Sequence, residues 1–257
     1  MTAKGARALA SLAAAAVLSG CGSSYQEIPI ETPIQPKLDV RPFSRIFVAG
    51  FITAGTDEVD GNLETVRLLR SQLRNKGQLR VVDADALAAA DIASAGGGAP
   101  LPTPTPATAA ADANVPDEAQ FAAFEKAFND KDYWKKIGDE LQQPLIVTGT
   151  VLFRPQSRSG FVQTERESFD SLGRRRVDPV RTFMERKGFV LRPNFIFIDG
   201  RTGEQIHAES FREEVLYNSN QTTPPLSSFF ELMDRLLPSF LNTLTAQKVR
   251  GSRVLLK

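Results

Sequence analysis

The sequence predicts an α/β fold, with a single mixed-sheet domain, helices packed on that sheet, a long disordered insertion and a C-terminal helix. Two nearly continuous apolar runs, at residues 45–51 and 145–151, are typical of strands that are covered on both faces. Segments with apolar residues at helical spacing lie between and after these runs. Strand and helix signals that alternate along a chain favour helices packed on a sheet.

Residues 1–20 have the organisation of a secretory signal peptide. A basic start precedes an apolar run from Ala8 to Leu18, and small residues lead to Cys21. The run is shorter than the about 20 residues that a membrane span needs. The alternative is an apolar helix with a buried cysteine, because free cysteine is among the most buried residue types.

The segment Leu18-Ser19-Gly20-Cys21 resembles the lipobox of bacterial lipoproteins. The resemblance implies cleavage before Cys21, a diacylglyceryl group on its thiol and an acylated amino terminus, with fatty acids such as palmitate. Cys21 is therefore the predicted lipidation site. Gly22 stands where an Asp would retain a lipoprotein in the inner membrane of enterobacteria. The resemblance thus implies a lipid-anchored protein of the cell outer membrane that faces the periplasm.

Residues 21–40 are predicted to form a lipidated tether. The stretch is polar, contains prolines and lacks a helical period, and such segments favour extended conformations. The alternation of Ile28 and Ile30 indicates a short edge strand as the alternative. The predicted periplasmic domain then covers residues 41–257.

Charge and composition exclude several classes of protein. The formal net charge is +1 over 257 residues, and the basic stripe of a nucleic-acid-binding protein is absent. Cys21 is the only cysteine and His207 the only histidine, so with a lipidated thiol no zinc site of the usual nitrogen and sulfur ligands can form. His207 has no nucleophile motif beside it, which favours a surface or strand-pairing role over a catalytic triad. We expect no cofactor, no metal and no enzymatic activity.

The first half of the domain alternates strands and helices. A strand at 45–51 precedes a helix at 62–76 that Asn62 caps, and a strand at 79–82 precedes an alanine-rich helix at 83–93. The apolar stripe of the first helix consists of Leu63, Val66, Leu69 and Leu73. The candidate caps of the second helix are Asp83 and Asp85.

Residues 94–116 are predicted to be a disordered surface insertion inside the domain. Glycines and alternating prolines in an Ala/Thr background cannot bury enough surface to offset their ordering entropy. Asp117 then caps an aromatic helix, and Asp132 caps its continuation. The apolar residues of this helical region are Phe121, Phe124, Phe128 and Trp134.

Residues 154–187 are polar and lack a clear period, which predicts a long hairpin or an excursion from the domain. A strand at 189–198 follows, then a tight turn at 199–204 and a return strand at 205–217. The residue preferences of a tight turn explain Asp199 and its neighbouring glycines, so a catalytic pair of carboxylates is not needed to explain them.

The last part of the chain predicts a helix and a strand. The helix at 226–244 contains Pro238, which predicts a kink or a split into two helices. Residues 253–256 are a candidate last strand.

Three motifs have a functional interpretation and a plainer one that is favoured. Arg174-Arg175-Arg176 suits anionic lipid headgroups, but nearby acidic residues favour a solvated loop. Asn129-Asp130-Lys131-Asp132 lacks the glycine and the glutamate of a calcium loop, so helix capping explains it better. Gly50 and Gly55 match neither a Walker loop nor the dinucleotide fingerprint.

Four stretches resemble the periplasmic α/β domain shared by three groups of envelope proteins. These groups are the curli secretion-channel lipoproteins, the penicillin-binding-protein activator lipoproteins and the N-terminal domain of the Tol–Pal translocation protein. The stretches are Phe47–Phe51, Leu79–Asp83, Trp134–Val151 and Phe195–Glu204. The resemblance implies the fold and implies no catalytic residues.

The function that we expect is that of a non-enzymatic outer-membrane lipoprotein, acting as a protein-binding or assembly factor in the cell envelope. Its expected partners are the membrane, through the lipid, and another envelope protein. The alternative is an oligomeric secretion-channel component of the curli type, which makes a homo-oligomer. Against it, residues 154–187 lack the alternating segments of about 10 residues that membrane-crossing hairpins use.

Overall fold

The computed structural model describes residues 25–95, 97, 101, 121–169, 171–218, 221 and 223–256. The predicted signal peptide, Cys21, Asp117 and most of the predicted insertion 94–116 lie outside these residues. The chain divides into two compact units. We call Pro36–Thr245 the body, and we call the described parts of Met1–Gln35 and Ala246–Lys257 the ribbon.

The ribbon consists of two antiparallel strands. Strand β1 (Tyr25–Ile34) pairs with β8 (Gln247–Leu256), in a register that places Tyr25 opposite Leu256 and Ile34 opposite Gln247. Of the two interpretations given for Ile28 and Ile30, the structure has the strand. The signal was weak because the partner strand lies more than two hundred residues later in the chain.

The body contains a six-stranded mixed sheet, which confirms the predicted α/β class. Its strands are β2 (Arg45–Gly55), β3 (Arg80–Val81), β4 (Leu145–Phe169), β5 (Arg175–Asp199), β6 (Gln205–Ser210) and β7 (Glu213–Asn218). The order is β3-β2-β4-β5-β6, and β7 also pairs with β5. Strand β2 is parallel to β3 and β4, whereas β5 is antiparallel to β4, β6 and β7.

Helices cover both faces of this sheet. They are α1 (Gly61–Lys76), α2 (Ala89–Ala95), α3 (Glu125–Phe128) after a 3-10 turn (Ala122–Phe124), α4 (Lys131–Glu140) and α5 (Pro225–Leu244). Helices α1 and α5 pack on one face and α2, α3 and α4 on the other. The apolar run in β2 contributes side chains to both faces of the sheet. Ile46 and Val48 lie on the face that α1 and α5 cover, and Phe47 and Ala49 lie on the opposite face.

Two helix starts differ from the prediction. Asp60, not Asn62, caps α1, and its Oδ1 accepts a hydrogen bond from the Leu63 N–H at 2.9 Å. Asn62 instead accepts from the Phe51 N–H at 2.8 Å and donates to the Leu87 carbonyl at 3.3 Å. Asp130, not Asp132, caps α4 by accepting from the Tyr133 N–H.

The alanine-rich helix α2 begins at Ala89 and not near Asp83. Residues before it continue along the edge of β2, because the Val82 N–H donates to the Ile46 carbonyl and the Leu87 N–H to the Ala49 carbonyl. A helix capped by Asp83 would direct the Leu87 N–H to the Asp83 carbonyl four residues before it, and the structure uses that N–H for β2 instead. Tertiary hydrogen bonds therefore override the local helix propensity here.

The prediction of one continuous return strand is wrong, and of the two alternatives given for Pro238 the split does not occur. The return strand is interrupted at residues 211–212, where β6 ends and β7 begins, opposite Pro193 of β5, which has no N–H to donate to a ladder. In contrast, α5 is not split in two: Pro238 lies inside one helix, and its side chain is exposed.

Candidate functional site

The feature of the body that extends beyond its core is the hairpin of β4 and β5. The two strands pair without interruption from Leu145 opposite Asp199 to Phe169 opposite Arg175. Their outer neighbours stop early, since β2 reaches only Phe153 and β7 reaches only Arg186. Residues 159–185, which we call the arm, therefore continue as a two-stranded ladder over roughly 35 Å.

Both edges of the arm are free of ladder partners among the described strands. The edge of β4 is open beyond Phe153 and the edge of β5 is open before Arg186. A long unpaired edge is a template for pairing with another chain. An extended segment of a partner can add to such an edge through main-chain hydrogen bonds.

The arm exposes large apolar side chains instead of burying them. Phe161 and Phe183 lie opposite each other, with ring centroids 5.5 Å apart in an edge-to-face contact, and they are 67% and 59% exposed. The guanidinium of Arg181 lies 5.2 Å from the centre of the Phe161 ring. Towards the tip, Phe169 and Leu172 are exposed as well. Exposed aromatic and arginine side chains in one patch are typical of protein interfaces.

Two arginines of the arm form ion pairs with acidic residues of the arm. Arg175 pairs with Glu167, and the Arg176 Nε lies 2.7 Å from the Asp178 Oδ1. Asp178 also accepts a hydrogen bond of 3.0 Å from the Ser168 hydroxyl. Arg174-Arg175-Arg176 are exposed, but the favoured interpretation as a solvated loop is wrong for Arg175 and Arg176, which belong to β5.

The sequence contained a partial signal for the arm. A long hairpin was one of two interpretations for residues 154–187, and the structure has that hairpin. The aromatic pair was missed, because Phe161 and Phe183 are far apart in sequence and only the register brings them together. Pro179 also obscured the strand, but an open edge tolerates a residue without an N–H.

The body also has an open pocket of about 680 Å³ between the 3-10 turn, α3 and strands β4 to β6. Its polar lining includes Glu125, Asn194, Gln205 and Arg212. Asn194 is already bonded to the Ser210 hydroxyl at 3.0 Å, and the Arg212 Nη2 lies 3.5 Å from the Glu214 carboxylate. The Ser210 hydroxyl at this pocket therefore donates to an amide oxygen and not to a basic group, whereas a nucleophile in covalent catalysis is paired with a base.

His207 lies on the opposite side of the sheet, on β6. Its ring is 5.7 Å from the Phe197 ring, and its Nε2 is 3.6 Å from the Glu209 carboxylate. Glu209 also binds Lys37 and accepts from the Thr243 hydroxyl at 2.7 Å. Burial raises the pKa of Glu209, but the bonds from Lys37 and Thr243 outweigh it and leave that pKa below its usual value. The cluster attaches the start of the body to α5 and β6.

The remaining motifs have structural roles. Asp130 caps α4, and no group of three or more potential metal ligands occurs within the described part of the chain. Gly50 and Gly55 have φ angles of 141° and 110°, and a Cβ at Gly55 would lie 1.8 Å from the Phe153 carbonyl oxygen. Asp199 accepts hydrogen bonds from Arg201 within the β5–β6 turn. Cys21 lies outside the described residues, so its lipidation stays a prediction.

None of the described helices combines the length and the apolar character that crossing a bilayer would demand. No family model matches this chain. No curated protein matches it either.

Several solved structures show a distant similarity. A lipoprotein from Neisseria meningitidis is 13% identical with a TM-score of 0.31, covering 77% of this chain and 99% of that chain. A homolog of the neuraminyllactose-binding hemagglutinin from Helicobacter pylori is 11% identical with a TM-score of 0.29, covering 81% and 83%. A PDZ domain protein from Parabacteroides distasonis is 10% identical with a TM-score of 0.23, covering 93% and 41%. Similarities of this size carry no conclusion about function.

Proposed function

We propose that this chain is a lipid-anchored, non-enzymatic protein of the bacterial outer membrane that binds another envelope protein through its arm. The observation that supports binding is the arm itself, with two open edges and an exposed pair of phenylalanines. An isolated two-stranded ladder is marginal in water. A partner that covers the phenylalanines or extends the ladder would stabilise the arm, which is the physical reason to expect one.

The binding proposal is tested by photo-crosslinking in intact cells. A benzophenone amino acid replaces Phe183, which is 59% exposed on the arm, or Leu63, which is 55% exposed on α1 and serves as the matched control. We expect the Phe183 probe to give a discrete protein adduct that mass spectrometry identifies and that the Leu63 probe does not give. Identical adduct patterns from the two sites would contradict the proposal.

A second test weakens the proposed interface without removing the arm. The double variant Phe161→Ser/Phe183→Ser should reduce the recovery of that adduct, measured with the probe at Val177, by at least about tenfold. Each buried aromatic anchor at an interface contributes more than about 1 kcal/mol, and 1.4 kcal/mol corresponds to a tenfold change. Unchanged recovery would show that the phenylalanines are not part of the interface.

The lipid anchor is supported by the lipobox-like segment at Leu18–Cys21. Acyl chains contribute roughly 0.8 kcal/mol per buried CH2, and more than one chain is needed for stable attachment. Cells grown with labelled palmitate should label the wild-type chain and not Cys21→Ala, and only the wild type should sediment with outer membranes. Membrane retention of Cys21→Ala, together with an unlabelled wild type, would refute the anchor.

The second candidate is an oligomer, as in the curli secretion-channel resemblance. The observation that favours it is that both edges of the arm are open, so one copy can pair on each side in a head-to-tail manner. Negative-stain microscopy of the detergent-purified protein should then show rings of uniform size. A strictly monomeric protein would exclude this candidate and leave the binding of a different protein.

A further inference from the structure

The ribbon has two chemically different faces. Side chains that lie directly opposite each other in an antiparallel pair share a face. One face therefore carries Ile28, Ile30 and Ile34 of β1 together with Val249 of β8, which lies opposite Thr32. These four side chains are between 38% and 51% exposed. We call this the apolar face of the ribbon.

The other face of the ribbon carries most of its charges, and Glu31 on it is paired with two basic residues of β8. Glu31 lies opposite Arg250, whose Nε is 3.1 Å from its carboxylate, and the Lys248 Nζ is 3.4 Å from the same group. Val254 lies on this second face, opposite Glu27, and is 55% exposed. The ribbon is thus amphipathic, with an apolar side and an ion-paired side.

The apolar face is too small to hold two copies of the chain together. Ten residues at about 3.3 Å each, and two strands that each occupy a width of about 4.8 Å, give a face of roughly 300 Å². A stable protein interface buries about 800 Å² per partner. A second copy docked on this face alone would lack most of the area it needs.

The sequence places the ribbon next to the proposed lipid anchor. Only three residues separate Cys21 from Tyr25, the first residue of β1, and the four steps along the chain span at most ~14 Å. The start of β1 is therefore held at the bilayer surface if Cys21 is lipidated. The register then brings the end of β8 to the same surface, because Leu256 pairs with Tyr25.

We propose that the ribbon lies in the interface of the phospholipid bilayer, with its apolar face towards the acyl chains and the Glu31 face towards water. This inference rests on the lipid anchor of the proposed function. An amphipathic element that lies in the plane of the interface buries its apolar side by about 5–10 Å. Arg253, opposite Ile28, is placed on the lipid-facing side, where an arginine extends its guanidinium to anionic headgroups.

The proposal is tested with a fluorescent label at one cysteine in the full, processed protein. Val249→Cys and Ile28→Cys place the label on the apolar face, and Val254→Cys places it on the opposite face. Val249 and Val254 are matched controls, because they are valines of the same strand with 50% and 55% exposure. The native thiol of Cys21 is occupied by lipid and does not take up label.

The labelled proteins are reconstituted into vesicles of phosphatidylethanolamine and phosphatidylglycerol that contain lipids with a shallow nitroxide quencher. We expect quenching at positions 249 and 28 to exceed quenching at position 254 by at least threefold. Equal quenching at the three positions would overturn the proposal. Efficient disulfide formation between copies through Val249→Cys, without quenching, would overturn it in favour of a second copy on the apolar face.

The anchor and the ribbon contact can fail separately. Mass spectrometry of the N-terminal peptide from the same sample shows whether Cys21 carries lipid. An unmodified Cys21 would overturn the proposed anchor and the ribbon proposal with it. A lipidated Cys21 with no difference between positions 249 and 254 would overturn only the ribbon proposal.

Discussion

Asp199 is the polar residue on which the turn between β5 and β6 depends. Its Oδ1 accepts hydrogen bonds from the N–H and Nε of Arg201 at 2.9 and 3.0 Å, and its Oδ2 accepts from Nη2 at 2.7 Å. Burial raises the pKa of Asp199, but the bonds from Arg201 outweigh it, so that pKa lies below its usual value. Folding therefore favours the ionised carboxylate at this position.

This shift predicts a pH-dependent effect of Asp199→Asn. A carboxylate with a lowered folded-state pKa contributes stability above its unfolded pKa of about 4, and that contribution is lost as the pH falls through the folded value. We expect Asp199→Asn to lower the free energy of unfolding by about 1.5–3 kcal/mol at pH 7, the range for hydrogen bonds to charged groups. Urea unfolding at pH 7 and pH 3 measures the difference, which should shrink at pH 3. A difference that is constant with pH would contradict the assignment, and Arg201→Gln should behave like Asp199→Asn.

A second prediction at this scale concerns the close approach of α4 to the same turn. A Cβ at Gly138 would lie 1.9 Å from the Gly200 carbonyl oxygen, and backbone must move to make room for it. We expect Gly138→Ala to lower the free energy of unfolding by about 1–3 kcal/mol, as for other overpacked sites, or more. Gly160→Ala in the arm is the control, because nothing lies within 4 Å of its Cβ position. Equal denaturation midpoints for the two variants would refute the predicted clash.

At the scale of elements, the sequence predicts buried strand segments better than it predicts the pairing of strands that are far apart in the chain. The apolar runs identify β2 and the first part of β4, because both faces of those segments are covered and each position must be apolar. The outer part of β4 has exposed faces, so its pattern carries no burial signal. The ribbon and the aromatic pair of the arm depend on register, which no local window contains.

Helix caps show the same limit on a smaller scale. Asn62 and Asp132 are good capping residues by type, but Asp60 and Asp130 precede them and fit the observed helix starts. Leu63, assigned to the buried stripe of α1, is 55% exposed, whereas Val66, Leu69 and Leu73 are buried. Helical spacing locates the buried side of a helix, and the neighbouring element decides where that side ends.

Pro238 gives a prediction at the scale of an element. It lies inside α5 and cannot donate a hydrogen bond to the carbonyl four residues before it. Because the ring is exposed, alanine at this position removes no core packing. We expect Pro238→Ala to raise the free energy of unfolding by about 1–3 kcal/mol. The upper limit is the difference in helix propensity between alanine and proline in a helix interior. Chemical denaturation measures this, with exposed Ser239→Ala as the control. A loss of stability would show that α5 requires the proline.

At the scale of the whole molecule, the two long strands connect regions of very different burial. Their inner parts lie in the core of the body, where Val147, Val151, Leu191 and Phe195 are fully buried. Their outer parts have no third strand among the described residues. Local stability follows buried contacts and protected hydrogen bonds, so the arm should open far more readily than the body. Because the arm can open while the body stays folded, the arm can also exchange one binding partner for another without unfolding the body.

The last prediction separates the arm from the fold that carries it. Replacing residues 159–185 by Asn-Gly connects Arg158 to Arg186, which lie opposite each other in the register, through a two-residue turn that suits an antiparallel pair. Since the core lies outside the deleted segment, we expect the melting temperature to change by less than about 4 °C, the shift that about 1 kcal/mol produces in a domain of this size. Hydrogen exchange of the inner strands should also stay unchanged, whereas the crosslinked partner should be lost. If the shortened chain kept its partner, the binding surface would have to lie on the body, and the pocket beside α3 would become the site to examine. If the shortened chain failed to fold, the arm would be a structural element, and the exposed phenylalanine pair would need a different explanation.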